Sequence, residues 1–221
     1  MFPISDVIPS RTPPVVTIGL IALNALAFLY ELRLDDYQLQ VVVQYYGVVP
    51  AAFSWADVLT SMFLHGGWLH FLGNMLYLWI FGDNVEDRLG HGPYLLFYLG
   101  CGALAAVAQV FVHPTSLVPM VGASGAIAGV MGAYFVLYPH SRVLAVVFIV
   151  FFLDIIEIPA IFFLGVWFLM QLFSGVGSVV DAAEGGVAFI AHIGGFVAGV
   201  ITGFIVRARD ASREEYWRGV G

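Results

Sequence analysis

Long apolar blocks separated by short polar segments make up most of this chain. Each block holds close to the roughly 20 apolar residues that a helix needs to cross a bilayer. The pattern predicts six transmembrane helices: Pro14–Leu32, Leu69–Glu86, Tyr94–Val112, Gly122–Tyr138, Pro159–Val176 and Val187–Val206. We therefore expect an all-α membrane protein, folded as a six-helix bundle.

Two further segments fit neither a span nor a plain loop. Arg33–Ala56 mixes apolar residues with acidic residues, tyrosines and a proline, which favours a position in the membrane interface. Val143–Glu157 is apolar, but Asp154 and Glu157 interrupt it just before Pro159. We interpret it as an interfacial approach to the fifth span.

The charged ends of the chain define the domain boundaries. Residues 1–13 and 207–221 are predicted to be tails on either side of a single six-helix domain, residues 14–206. The first tail has no apolar core followed by a cleavage site, so it is not predicted to be a signal peptide.

Composition excludes several classes of protein. Hydrophobic residues make up 61% and charged residues 10% of the 221 residues, whereas soluble domains average about 45–50% and 25%. A soluble protein of this length could not bury so much apolar surface. All eight basic residues are arginines near predicted span ends, which speaks against nucleic-acid binding. The single cysteine, Cys101, excludes an intrachain disulfide.

The arginines predict the orientation in the membrane. With six spans, only Arg33 lies on one side, and the other side carries Arg11, Arg88, Arg142, Arg207, Arg209, Arg213 and Arg218. Positive residues accumulate on the cytoplasmic side of membrane proteins, so both termini are predicted to be cytoplasmic. Without a presequence, the plasma membrane of a prokaryote is the expected location. The sequence does not indicate an oligomeric state.

Polar residues near the second span are the first sign of chemistry. His70 and Asn74 are four residues apart and share a helix face, and His65 lies at the helix entrance. Such residues also serve as hydrogen-bonding contacts between membrane helices. The H-E-x-x-H pattern is absent, and His65 and His70 do not share a face, so we predict no metal and no other cofactor.

The fourth span opens with a serine among small residues. Ser124 is flanked by Gly122, Ala123 and Gly125, and it lies at the predicted helix N-terminus. Amide groups at such a terminus suit a developing oxyanion. A serine that only packs in a tight helix crossing is the alternative interpretation.

The sixth span carries an ionisable residue on its smallest face. Gly195, Gly199 and Gly203 form a doubled G-x-x-x-G pattern, and His192 lies on the same face. The fourth span has a matching face of small residues at Gly125, Gly129 and Gly132. We expect these two helices to pack together and to bring Ser124 and His192 into contact. A hydroxyl, an imidazole and helix-terminal amides are the components of acyl transfer.

At these residues the sequence closely resembles the rhomboid intramembrane serine proteases. Four motifs appear in the order of that family between about Leu59 and Gly203. They are H-x-x-x-N at His70 and Asn74, G-x-x-x-E-x-x-x-G at Gly82, Glu86 and Gly90, G-x-S-G at Gly122–Gly125, and A-H-I-x-G at Ala191–Gly195.

The resemblance implies a role for each motif residue. Ser124 is the expected nucleophile and His192 the general base, with His70, Asn74 and the backbone at Ala123 as the oxyanion hole. His65 is expected to support the site at the cavity mouth, together with Gly122 and Gly125. Glu86, Arg88, Gly195 and Gly199 are expected to be structural. The implied activity is cleavage of single-span transmembrane proteins within the lipid bilayer.

The sequence departs from the family at two positions. Ala128 stands four residues after the serine, where many members have an aromatic residue that packs on the histidine, and Trp55 is followed by Ala56 instead of Arg. No acidic residue is placed to complete a triad, so we predict a dyad in a hydrated cavity near the outer face. The fifth span is the expected gate for substrate.

Two other classes compete with this interpretation. A small transporter would also have polar residues in its spans, but spread through the membrane depth and in inverted repeats. An inactive binder of transmembrane helices would lack Ser124 or His192. A presenilin-type aspartyl protease is excluded, because Gly82-Asp83 lacks the preceding glycine of G-x-G-D.

Overall fold

The computed structural model describes residues 2–149, 152–180 and 188–219, without the side chains of 148, 149, 152, 176–180 and 212–219. The polar loop with Asp181 and Glu184 lies outside the described residues. The described chain is predominantly helical. Its helices are α1 (Val15–Glu31), α2 (Asp36–Tyr46), a short 3₁₀ helix (Pro50–Ala52), α3 (Trp55–Ser61), α4 (Trp68–Leu89), α5 (His91–Val112), α6 (Ser124–Leu137), α7 (Ala160–Val180) and α8 (Phe189–Gly219).

Each predicted span contains one helix, but the helices differ in length and polarity. Among the described residues, two stretches are long and apolar enough to cross a bilayer, His91–Val112 and Phe189–Ala211. Three shorter helices are also apolar, Val15–Glu31, Ser124–Leu137 and Ala160–Gly175.

The expected all-α fold is confirmed only as a predominantly helical one, because three strands form an antiparallel sheet in the order β1-β2-β3. The strands are β1 (Phe2–Asp6), β2 (Arg142–Ile149) and β3 (Phe152–Pro159). The segment predicted as an interfacial approach therefore forms two paired strands, with Leu144 opposite Glu157. Its many Val, Ile and Phe residues explain the choice, since β-branched and aromatic side chains fit a pleated surface.

Within residues 2–13, which were predicted to be a tail, β1 pairs with β2, although the two strands are far apart in sequence. The carboxylate of Asp6 accepts hydrogen bonds from the Tyr134 hydroxyl and from Asn84 Nδ2. Burial raises the pKa of Asp6 to about 6. The predicted N-terminal tail is thus part of the folded domain.

In the segment predicted as the C-terminal tail, α8 continues without a break to Gly219. Within this extension, Asp210 forms an ion pair of 2.7 Å with Arg88 at the end of α4. At the same end of α4, Asp87 accepts a hydrogen bond from the Thr12 hydroxyl. The segment before α1 and the ends of α4 and α8 therefore lie on one side of the molecule.

Glu86 joins the start of α1 to α4. Its carboxylate accepts hydrogen bonds from the backbone amides of Val16 (2.9 Å) and Thr17 (2.8 Å), and it contacts His91 Nδ1 at 2.7 Å. Amide groups in the first turn of a helix have no partner within that helix. A buried acceptor at this position satisfies two of them and fixes α1 against the bundle.

The segment Arg33–Ala56, predicted at the membrane interface, folds into α2 and the 3₁₀ helix and leads into α3. Asp35 and Gln38 form a reciprocal capping box that starts α2. Tyr37 and Tyr45 on this helix are exposed. The segment also fixes the position of the loop before α6, because Val48 and Met120 exchange two backbone hydrogen bonds.

The centre of the molecule is α6, and nearly all of its residues from Gly125 to Val136 are buried. Its glycines lie directly against α8. A Cβ added at Gly195 would collide with the carbonyl oxygen of Gly125, and one at Gly199 would collide with that of Gly129. The expected close packing of the fourth and sixth spans is therefore confirmed.

Candidate active site

The site begins where the chain turns into α6. Gly122 has a φ of 121°, a conformation that side chains disfavour, and its amide donates to the Ser61 carbonyl at 2.8 Å. A Cβ at this position would also collide with the His70 ring. Glycine therefore allows the His70 ring to lie directly beside the loop that presents Ser124.

Ser124 and His192 form a hydrogen bond across the α6–α8 crossing. The distance between Ser124 Oγ and His192 Nε2 is 2.7 Å, although the residues are 68 positions apart in sequence. The crossing can be this close because glycines on both helices remove the side chains that would hold them apart. The His192 side chain is buried.

Two residues of α7 also contact the His192 ring. Gln171 Oε1 lies 2.8 Å from His192 Nδ1. The Trp167 ring packs against the imidazole with 6.0 Å between ring centroids. Trp167 thus provides an aromatic neighbour for His192 where Ala128 provides none.

Sequence reasoning missed both residues of α7. A usable signal was present, because Gln171 is the one amide in the apolar run Ile161–Phe173. Polar residues within membrane spans usually face the bundle interior. The same argument that singled out His192 and Asn74 would have selected Gln171.

His70 faces Ser124 from α4 with a defined protonation pattern. Its Nδ1 accepts a hydrogen bond of 3.2 Å from the Gly66 amide. A neutral imidazole that accepts at one nitrogen carries its proton on the other. His70 Nε2 is therefore a donor, and it lies beside Gly122.

Asn74 lies one turn after His70 on α4. Its side chain is 8% exposed, and Nδ2 has no hydrogen-bond partner within the described part of the chain. A buried amide without a partner costs about 1–3 kcal/mol. Near it, the first amides of α6 at Ser124, Gly125 and Ala126 precede the first intrahelical bond, which runs from Ile127 N to Ala123 O.

A cavity of about 730 Å³ connects these groups. The two residues of the hydrogen bond and the two donors of α4 all line it, and so does Trp167. Apolar side chains such as Leu69, Ile127 and Met131 form much of the remaining wall. The arrangement combines an apolar groove with a few polar groups directed at one point, as in many ligand sites.

The structure does not place His65 at the cavity mouth. The residue is 1% exposed, and its ring packs against Phe28 and Phe71. Its amide donates to the buried carboxylate of Glu31. Its ring also lies 5.3 Å from that of His70. His65 therefore belongs to the packing between α1 and α4, behind the cavity.

The described part of the protein is therefore a helical bundle that buries a serine–histidine pair at a helix N-terminus, beside an apolar cavity. The Rhomboid domain matches residues 52–209, more than half of the chain. The chain therefore belongs to the rhomboid family, whose members are embedded in membranes.

Several relatives are similar to the chain in sequence. Rhomboid protein 1, mitochondrial, of Saccharomyces cerevisiae is 29% identical over 172 residues, which cover 75% of this chain and 46% of that protein. Rhomboid protease GluP of Bacillus subtilis is 42% identical over 79 residues, 36% of this chain and 15% of that protein. Presenilin-associated rhomboid-like protein, mitochondrial, of Mus musculus is 33% identical over 134 residues, 59% and 35% of the two chains.

The chain spans less than two thirds of the length of each of these relatives. They include mitochondrial and bacterial proteins, and one of them is named a protease. The shared feature is thus the membrane-embedded domain, and not a compartment.

Proposed function

We propose that the protein is an intramembrane serine endopeptidase that cleaves single-span transmembrane proteins. The observation that carries the proposal is the 2.7 Å hydrogen bond between Ser124 Oγ and His192 Nε2, at a helix N-terminus and facing a cavity. A nucleophile and a base within hydrogen-bond reach are the minimum needed for covalent acyl transfer.

Ser124 and His192 divide the chemistry between them. His192 Nε2 takes the hydroxyl proton while Ser124 Oγ bonds to the carbonyl carbon of the scissile peptide. The tetrahedral intermediate then breaks its C–N bond, and the leaving amine receives that proton from Nε2. Water repeats the sequence on the acyl-enzyme, which releases the acid and restores Ser124.

The oxyanion hole is formed by donors from two helices. His70 Nε2–H and the unpartnered Asn74 Nδ2 approach from α4, and the backbone at Ala123 and Ser124 approaches from α6. Donors that are fixed before the reaction stabilise the developing negative charge without reorganisation. This role explains why the fold tolerates a buried amide donor at Asn74 without a protein partner.

The length of α6 explains the depth of the site. Its 14 residues extend about 21 Å at 1.5 Å per residue, against roughly 30 Å of hydrocarbon. With Leu137 at one membrane surface, Ser124 lies roughly 9 Å inside the other. The cavity then brings water to a peptide bond at that depth.

The six long helices are proposed to cross the membrane in alternating directions. The Arg88–Asp210 pair and the Thr12–Asp87 bond support a common side for the N-terminal segment and the ends of α4 and α8. Most arginines belong to this side, which we assign to the cytoplasm. Ser124 and His192 then face the opposite, outer side.

Substrate reaches the cavity laterally, between α4 and α7. The rings of Tyr77 and Phe163 are in contact, with centroids 6.5 Å apart. One to two turns farther towards the outer side, Leu69 and Gly73 of α4 and Trp167 of α7 line the cavity. A substrate helix must unwind there, because a helix keeps its carbonyl groups in internal hydrogen bonds.

Cleavage by purified protein in liposomes tests the proposal. Wild type is expected to cleave a reporter transmembrane protein, and Ser124→Ala is expected to lose cleavage and labelling by a serine-directed fluorophosphonate. Ser174→Ala changes a different serine, which lies on α7. It is the matched control and is expected to remain active. Full cleavage by folded Ser124→Ala would contradict the dyad, and a wild type that binds but never cleaves the reporter would indicate a helix-binding protein.

A further inference from the structure

Two side chains of α7 hold the His192 ring from one helix face. Trp167 and Gln171 are four residues apart, so they lie on the same face of α7, about one turn from each other. Gln171 Oε1 is 2.8 Å from His192 Nδ1, and the Trp167 ring packs on the imidazole. The histidine therefore has a polar neighbour at each ring nitrogen, Gln171 on one side and Ser124 on the other.

The Gln171 contact decides which nitrogen of His192 carries the proton. An amide oxygen only accepts hydrogen bonds, so Nδ1 must be the donor. The neutral ring then leaves Nε2 unprotonated, with its lone pair directed at Ser124 Oγ. This is the tautomer that can remove the serine proton.

Among the described residues that line the cavity, no carboxylate contacts the His192 ring. The titratable side chains of these described residues are His70, Tyr77 and His192. A charged partner would be costly at membrane depth. The amide of Gln171 provides an acceptor without a net charge.

We propose that Gln171 is a positioning residue that fixes the Nδ1–H tautomer of His192, with Trp167 holding the plane of the ring. The proposal rests on the proposed function, because it assigns the way in which the base is prepared. In this proposal, α7 orients the catalytic base and also forms part of the cavity wall. The site is then a dyad whose histidine is oriented by a neutral third side chain.

Three variants separate positioning from packing. Gln171→Met keeps the length of the side chain but has no oxygen acceptor. It is expected to lower kcat roughly 10- to 100-fold, by analogy with the loss of a group that orients a metal-binding histidine. KM is expected to change less than about twofold, because the substrate contacts remain. Gln171→Glu keeps an oxygen acceptor in either protonation state and is expected to recover most of kcat. Leu169→Met, on the exposed side of α7, is the control.

A purely structural role predicts a different result. Gln171→Met would then match wild type or lose stability with kcat per folded molecule unchanged, and Gln171→Glu would be the more damaging change. Either result would overturn the proposal. Thermal unfolding of each variant in detergent gives the folded fraction for this comparison.

The tautomer can be measured without any turnover. Nitrogen-15 NMR of histidine-labelled protein is expected to show a protonated Nδ1 and an unprotonated Nε2 at His192, assigned by the loss of these signals in His192→Gln. Gln171→Met is expected to shift the ring toward a mixture of tautomers. A wild-type ring protonated on Nε2 would overturn the proposal. A protonated Nδ1 in a wild type that cleaves nothing would refute the proposed function and leave Gln171 as a hydrogen-bond partner without a catalytic role.

Discussion

His70 and His192 lie in one cavity but are directed to opposite tasks by their neighbours. The Gly66 amide donates to His70 Nδ1, which leaves Nε2–H as a donor. Gln171 Oε1 contacts His192 Nδ1, which leaves Nε2 as an acceptor. One imidazole can therefore stabilise a negative charge and the other can take a proton. The residue type is the same, and only the hydrogen bond on the far side of the ring differs.

Asn74 gives the sharpest test of the oxyanion hole. Asn74→Ala is expected to lower kcat by up to about 10²-fold, since removal of one preorganised donor from a soluble serine protease costs about 10²–10³-fold. The variant also removes a buried group without a partner, so the free energy of unfolding is expected to stay equal or to rise. The measurement is liposome cleavage together with thermal unfolding.

Leu72→Ala is the matched control, because this residue lies on the same helix and is exposed. It is expected to keep full activity. Equal rates for Asn74→Ala and wild type would remove Asn74 from the oxyanion hole and leave His70 and the backbone amides as its donors.

The α6–α8 pair shows how two helices create a site that neither contains alone. A Cβ at Gly132, Gly195 or Gly199 would meet backbone atoms of the opposite helix. Backbone cannot move aside as the end of a flexible side chain can. The glycines therefore set the separation of the helices, and with it the Ser124–His192 distance.

We predict that Gly199→Ala destabilises the protein by about 1–3 kcal/mol, the usual cost of overpacking a tight contact, and lowers activity with it. The change in stability is measured as the free energy of unfolding in an SDS titration from mixed micelles. Gly100→Ala is the control, because a Cβ on this glycine of α5 would meet nothing within 4 Å. If both variants were equally stable, the close approach of α6 and α8 would not be a determinant of stability.

Across the whole molecule, α7 connects two requirements of the proposed reaction. The stretch of α7 around Trp167 borders the proposed lateral opening to the cavity, and Trp167 and Gln171 in the same stretch contact His192. A shift of α7 that widened the opening would move the helix that also carries Gln171, so substrate entry and the orientation of His192 are coupled through the position of α7.

A reversible crosslink between α4 and α7 tests this coupling. Cysteines at Tyr77 and Phe163, whose rings are in contact, can be joined by a short bifunctional methanethiosulfonate reagent in a Cys101→Ala background. Cleavage of a transmembrane reporter is expected to stop on crosslinking and to return on reduction, and each single-cysteine variant is the control. Undiminished cleavage in the crosslinked protein would show that substrate enters elsewhere.

Sequence patterns located most helices but not the sheet. The run Val143–Ile158 is apolar except for Asp154 and Glu157, and such a run does not distinguish a strand from a buried helix. Its partner, β1, is more than 130 residues away and begins with residues that resemble a tail. Pairing between such distant segments is a tertiary event, so local periodicity could not predict it.

The amino-acid sequence alone was enough to locate the six long helices, the glycine faces of the fourth and sixth spans and the residues suited to acyl transfer. These features are local, because hydropathy and residue size act on each segment independently of its neighbours. The folded molecule was needed to show that Gln171 and Trp167 contact His192, that His65 is buried behind His70 and that the N-terminal segment forms a strand. These contacts depend on which faces of distant elements meet, since a helix periodicity specifies a buried face but not the helix that covers it.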